Sequence, residues 1–323
     1  MADRIKITLA AGSGVTFGVD DISCATATTH GFWEREGLDV TWIPRHGGVQ
    51  ALAAVLDGSA DVSYGGLGPV LHARASGKPV RIVVSMARGL AQNLVVQKRI
   101  ATPAALASVS WALDGFGALS HHLARLVLKS LGIDEKTIRW EAVGPPPERI
   151  ERLLADTIDA SQIRVEEAIS LSRAHPERLR TLLGFSDLKR LVPVQPHGVL
   201  ATTEAFEKAN PEALRRLARG MMRASRALHD ERAVFETAIA RHVTIALTPE
   251  VVRSIWQQEH DTGGFAVNGE LTRKHWAEQM RLYFELNPEL RRVTRAEVIA
   301  DGFVADALAR IGTHPAPFDQ PGT

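Results

Sequence analysis

Ile5-Lys6-Ile7-Thr8-Leu9-Ala10, Leu38-Asp39-Val40-Thr41-Trp42-Ile43 and Asp61-Val62-Ser63-Tyr64 are three apolar runs written in one style near the start of the chain. Each leads into a glycine-containing loop and then a helical pattern: Gly12-Ser13-Gly14-Val15-Thr16-Phe17-Gly18, Arg45-His46-Gly47-Gly48 and Gly65-Gly66-Leu67-Gly68. Short strands alternating with helices predict an α/β protein built on a parallel sheet. The loops that follow such strands form the crevice where ligands bind, so these three glycine loops are expected to converge on a small-molecule site.

The pattern continues outward. A fourth strand is read at Val80-Arg81-Ile82-Val83-Val84, after which the alternation restarts at Gln92-Asn93-Leu94-Val95-Val96. It runs on through Val109 to Leu113, Ile138 to Val143 and Ile158 to Ile163. Pro147 to Leu154 reads as an amphipathic helix opened by prolines. Beyond Val199-Leu200-Ala201 the chain reads as helix to Ile311, and the tail 313–323 lacks periodicity and is expected to be disordered.

The wording also resembles a known family. Phe32-Trp33-Glu34-Arg35-Glu36-Gly37-Leu38-Asp39-Val40, then Gly47-Gly48, Leu56-Asp57-Gly58-Ser59-Ala60-Asp61-Val62 and Gly77-Lys78-Pro79-Val80-Arg81-Ile82-Val83, are similar to the solute-binding proteins of sulfonate, taurine, nitrate and thiamine-precursor ABC importers. The likeness continues through Gly144 to Ala160 and Thr203 to Leu214. It implies the type II periplasmic-binding-protein fold: two α/β domains, each a mainly parallel sheet flanked by helices, joined by a two-strand hinge. The implied domains are 1–88 plus 198–323, and 89–197, with crossings near residues 89 and 195. A hinge of this kind permits closure around a ligand.

Composition narrows the classes. A chain of 323 residues exceeds what one core usually serves. Its 38 basic residues balance 37 acidic ones without a basic block, which argues against a nucleic-acid partner. The single Cys24 excludes an intrachain disulfide and a multi-cysteine metal site. No apolar run approaches the roughly 20 residues that span a bilayer. Met1-Ala2-Asp3-Arg4 runs into the first strand without the basic and apolar segments of an export signal, which favours the cytoplasm, whereas the family favours export.

Gly12, Gly14 and Gly18 give GxGxxxG instead of the dinucleotide fingerprint, and Asp39 opens the second strand where a ribose-binding acid would close it. No cofactor is expected. Asp114-Gly115-Phe116-Gly117-Ala118-Leu119-Ser120 opens a helix, so its amides and the positive end of the helix dipole suit a carboxylate or sulfonate. In the resembling family this helix start contacts ligand, which singles out Gly117, Ala118 and Ser120; the plainer alternative is a capped helix end. Arg88 follows a buried strand and would grip an anion, or else pair with an acid such as Glu166. Gln195 and His197 at the return crossing are held by Pro193 and Pro196 and are read as polar anchors together with Ser13. Phe17, Tyr64 and Phe116 are read as apolar walls. His121 and His122 point about 100 degrees apart on a helix, as do Glu166 and Glu167, and no HExxH spacing occurs, so no metal site is expected.

Two functions follow as expectations. The first is reversible binding of a small, anionic and aromatic-tolerant organic solute in an interdomain cleft, handed to an ABC permease. The alternative is a cytoplasmic enzyme of the same fold, such as a decarboxylase of an aromatic acid, with His121, His197 or Glu166 delivering a proton. A desulfinase is disfavoured because the first loop holds no cysteine, and a thiamine-pyrimidine synthase because its cysteine-rich motif is missing. Cys24, between Ser23 and Ala25, is read as a small buried residue.

Overall fold

The computed structural model describes residues 4–12, 17–88, 91–192, 197–269 and 272–317. The chain divides into two compact units, Met1–Gly89, Pro196–Thr244 and Thr248–Thr323 on one hand, Leu90–Gln195 with Ile245–Leu247 on the other.

Unit 1 begins with β1 (Ile5–Ala11), α1 (Ile22–Thr29), α2 (Phe32–Arg35), β2 (Leu38–Pro44), α3 (Gly48–Leu56), β3 (Val62–Gly65), α4 (Leu67–Ala75) and β4 (Val80–Ala87). Unit 2 holds β5 (Gln92–Gln97), β6 (Ser110–Leu113), α5 (Leu119–Ser130), β7 (Arg139–Ala142), α6 (Pro146–Leu154), β8 (Ala160–Arg164), α7 (Val165–Ala174), β9 (Leu179–Leu183) and α8 (Phe185–Leu191). The chain then completes unit 1 with β10 (His197–Thr203), α9 (Glu204–Ala209), α10 (Pro211–Asp230), α11 (Arg232–His242), α12 (Pro249–Asp261), α13 (Arg273–Leu286), α14 (Arg295–Val298) and α15 (Asp301–Ile311).

Each unit is built on a five-stranded sheet, ordered β2-β1-β3-β10-β4 in the first and β7-β6-β8-β5-β9 in the second. The two orders follow one plan. β10 is antiparallel to both β3 and β4, and β5 is antiparallel to both β8 and β9, so every sheet has four parallel strands and one reversed strand next to its edge strand. The reversed strand is in each case the one laid down as the chain arrives from the other unit. Alternation of side chains predicts parallel strands but not this reversal, and the short edge strand β9, carrying Arg180 and Thr181, gave no apolar run to announce it.

The core of unit 1 lies between the sheet and α10, which turns Leu214, Leu217, Ala218, Met221 and Met222 inward against Ile7, Leu9 and Trp33. Each large apolar side chain so buried contributes about 1.5–3 kcal/mol. Packing here is close. The Trp33 indole N–H donates to the Leu217 carbonyl at 3.0 Å, and a Cβ on Gly220 would meet Trp33 Cδ1 at 2.4 Å. Arg219, almost wholly buried, donates to Glu36 at 2.8 Å and to Asp306 at 2.9 Å, tying α10 to the end of α2 and to α15.

The tail departs from expectation at residues 313–317. His314 exchanges backbone bonds with the Asn268 side chain at 2.8 and 3.0 Å, and Arg226 donates to the carbonyls of Ile311 and Gly312. Residues 318–323 lie outside the described residues. Among the described residues no helix is long and apolar enough to cross a membrane.

Candidate functional site

In unit 1 the three glycine loops do converge, and the contact is backbone on backbone. Gly12 donates to the Tyr64 carbonyl at 3.0 Å, Arg45 to Ala11 and Gly47 to Gly12, both at 2.9 Å. A Cβ on Gly12 would stand 2.9 Å from Gly48 N, and one on Gly65 2.8 Å from Gly48 Cα. Only glycine fits at these approaches, which explains three separate glycine loops by one packing fact. All lie at the carboxyl edge of β1, β2 and β3. The end of β4, with Arg88, and the start of β10, with His197 paired to Ala87, share that edge. Val49, one residue beyond Gly48, is 53% exposed there.

The sequence candidates in unit 1 fare differently from one another. Ser13 and Gln195 lie outside the described residues, as does the side chain of His197. Arg88 is half-buried, its backbone N–H bonded to the Gly264 carbonyl at 2.8 Å. Phe17 packs edge-on against Trp42 at 5.2 Å and His242 at 5.7 Å. Tyr64 is a correction: at 2% exposure its ring belongs to the core with Met86 and Leu200, because β3 is a central strand and its last aromatic faces inward. Cys24 is fully buried, and burial, then the nearby Asp21 carboxylate, pushes its thiol pKa well up.

Unit 2 carries the richer polar edge. At the carboxyl end of β6 stand Asp114 and the amino end of α5, while Ser161, level with Ala112, and Gln162 lie within β8. The loop before α5 spends its amides internally: Gly117, at φ +76°, donates to His121 Nδ1 at 3.1 Å, Ala118 donates to the Gly115 carbonyl, and the Asp114 N–H donates to Ser120 Oγ at 2.9 Å. This revises the expectation that Gly117 and Ala118 offer open donors; the helix leaves residues 119–121 as its next orphan amides. Ser120 is buried as the loop's cap, while Phe116 is 62% exposed. Phe116 and Trp140 both set ring edges against His121, at 5.4 and 5.3 Å. Burial first, and Arg125 second, lower the His121 pKa, so it is neutral at pH 7 with Nδ1 accepting and the proton on Nε2.

The residue that sequence reasoning missed is Arg149. It is 3% exposed and reaches four places: the Gly144 carbonyl (3.0 Å), Ser161 Oγ (3.1 Å), the Gln162 carbonyl (2.5 Å) and Asp114 Oδ1 (3.1 Å). It thereby fixes the loops after β6 and β7 against β8. Gln162 and Asn93 were missed as well. Gln162 is 1% exposed and both polar atoms of its side-chain amide lack a hydrogen-bond partner among the described residues, as does Asn93 Oδ1. A buried polar atom left so costs about 1–3 kcal/mol, a cost that a water or a ligand group can remove. Glu166 and Glu167 are buried in the first turn of α7.

A groove of about 550 Å³ opens elsewhere on unit 1, lined by Arg81, Glu204, Glu207, Lys208 and Arg215 among others. It lies at the amino edge of the parallel strands, and its charges pair with each other and their neighbours, Arg81 with Glu207 at 3.3 Å and Arg74 with Glu204 at 2.6 Å. It reads as a solvated ion-pair surface.

Two mixed sheets of this order define the class: the chain has the fold of the periplasmic substrate-binding proteins. It is similar to the alkanesulfonate-binding protein SsuA of Xanthomonas axonopodis pv. citri bound to MOPS, at 20% identity and a TM-score of 0.70 over 93% of this chain and 99% of that one. The nitrate-binding protein NrtA of Synechocystis PCC 6803 is similar at 13% identity and a TM-score of 0.74, over 99% and 92%. The desulfurization enzyme DSZB shares the fold at 14% identity and a TM-score of 0.65, over 95% and 100%. The chain belongs to the NMT1/THI5-like family, whose model it matches over residues 21–232. No curated protein sequence matches it.

Proposed function

We propose that this chain is the solute-binding component of an ABC-type importer and takes a small, anionic organic solute. The observation that carries the reading is the buried amide of Gln162 in β8 of unit 2, which has no hydrogen-bond partner among the described residues. An amide group offers both a donor and an acceptor, and the amino end of α5 in the same unit favours negative charge, so a carboxylate or sulfonate bearing a further polar group suits the pair. Phe116 and the His121–Trp140 pair supply an apolar shelf for its organic part. Family membership and the shared fold of SsuA and NrtA support the same class.

The test is a pair of measurements on one variant. Gln162→Met keeps the volume and removes the orphan polar atoms, so the free protein should become more stable while affinity for the true ligand falls. Calorimetry against aliphatic and aromatic sulfonates, carboxylates, nitrate and pyrimidines finds the ligand; urea unfolding reads stability. Unchanged affinity alongside raised stability would remove Gln162 from the site. The fold of DSZB keeps an enzymatic reading open, and mass spectrometry of the same panel after long incubation decides it: a binding protein returns its ligand intact.

A further inference from the structure

One cluster in unit 1 has no part in the solute reading. His229 and Asp230 end the 20-residue helix α10, and the tail brings His314 onto them. Among the described residues this is the one group of three His, Cys, Asp or Glu side chains whose donor atoms all lie within 4.8 Å of one another. His314 Nε2 stands 2.9 Å from Asp230 Oδ1 and 3.2 Å from Oδ2.

A plain structural role does not account for it. His229 is 7% exposed, yet its Nδ1 is buried with no hydrogen-bond partner among the described residues, so it is not a core histidine satisfied there through both ring nitrogens. Its plane is held on one side by His260, stacked at 4.3 Å, which in turn stacks on Trp256 at 4.9 Å and donates Nδ1–H to the His229 carbonyl at 3.0 Å. His314 meets the His229 ring edge-on at 5.4 Å. The delivery of His314 is built with comparable care. Asn268 clamps its backbone through both amide atoms, and Arg226, one turn before His229, holds Ile311, Gly312 and Val267 by their carbonyls. A cation at this point also meets the negative end of the α10 dipole.

We propose that His229, Asp230 and His314 form a two-nitrogen, one-oxygen site for a divalent transition metal of the zinc type, fastening the C-terminal tail to α10. Imidazole and carboxylate are ligands of zinc at about 2.0–2.2 Å, which puts neighbouring tetrahedral donors roughly 3.3–3.5 Å apart. The His314–Asp230 pair opens by a few tenths of an ångström to reach that spacing. His314 Nδ1 now accepts the Ala316 N–H at 3.2 Å, which places the ring proton on Nε2, toward Asp230. The metal takes the place of that proton. The proton moves to Nδ1 at the expense of the Ala316 bond, so the ring stays a neutral ligand.

The experiment uses the untagged full chain, stripped of metal and titrated with ZnCl₂ by calorimetry and with Co²⁺ by visible absorption. One saturable equivalent of zinc is expected at pH 7.5, with a higher Tm and a cobalt d–d band, both lost on adding EDTA. His314→Ala and Asp230→Asn should each weaken zinc by at least about tenfold, whereas His175→Ala should leave it unchanged. His229→Gln is the third ligand variant, and circular dichroism checks its fold; should it not fold, the other two variants carry the test. Absence of saturable zinc binding at 100 µM overturns the site, as does binding that survives both His314→Ala and Asp230→Asn.

Discussion

His122 shows how one side chain can set a property of the whole protein. It is 7% exposed on α5, and burial first, then the charges of Arg125 and His121, push its pKa down to about 3. The folded chain therefore holds it neutral, while the unfolded chain takes up a proton below about 6.5. Stability from this residue is complete above pH 6.5 and is lost as pH falls toward 3, by up to about 1.4 kcal/mol per pH unit. Urea unfolding at pH 7 and pH 4.5 should show that loss, and His122→Gln should reduce it. Cys24 offers a companion measurement: its buried, high-pKa thiol should not react with a disulfide reagent at pH 8 until denaturant is added.

At the scale of the element, the helix α10 is the spine of unit 1, and its tolerance is set by Trp33. Gly220 sits in mid-helix, where alanine ordinarily adds stability, yet its Cβ would meet the fully buried indole at 2.4 Å. Overpacking should win, and Gly220→Ala should destabilise by about 1–3 kcal/mol, read as a lower urea midpoint with an unchanged slope. Trp33→Phe in the same background should recover part of that loss, because the smaller ring vacates the contact. In unit 2 the comparable brace is Arg149, whose removal strands Asp114 and Ser161 together. Arg149→Met should cost about 3 kcal/mol and loosen the loops after β6 and β7, weakening any ligand there.

For the molecule as a whole, the proposed role makes stability depend on solute. A ligand that selects the folded chain adds RT ln(1 + [L]/Kd), about 2.7 kcal/mol at a hundredfold excess over Kd, so Tm should climb steadily with ligand concentration. A Tm that is flat across the whole panel, with Gln162 affinity untouched, would count against an importer-type binder.

The amino-acid sequence by itself determined the alternation of strands and helices, the three glycine loops and the family likeness from Phe32 onward, because these rest on local periodicity and short motifs. The glycines in particular were legible, since only close backbone approach demands Gly12, Gly48 and Gly65 together. Tertiary structure alone decided the reversed strands β5 and β10, the inward turn of Tyr64 and the use of the Gly117 and Ala118 amides within their own loop. It alone assembled the Arg149 brace, from a helix that read as merely amphipathic. His314 lies 84 residues beyond Asp230, in a tail without periodicity. No spacing rule reaches across such a separation, and what brings the two together is the set of hydrogen bonds from Arg226 and Asn268 that exists only once α10 is packed.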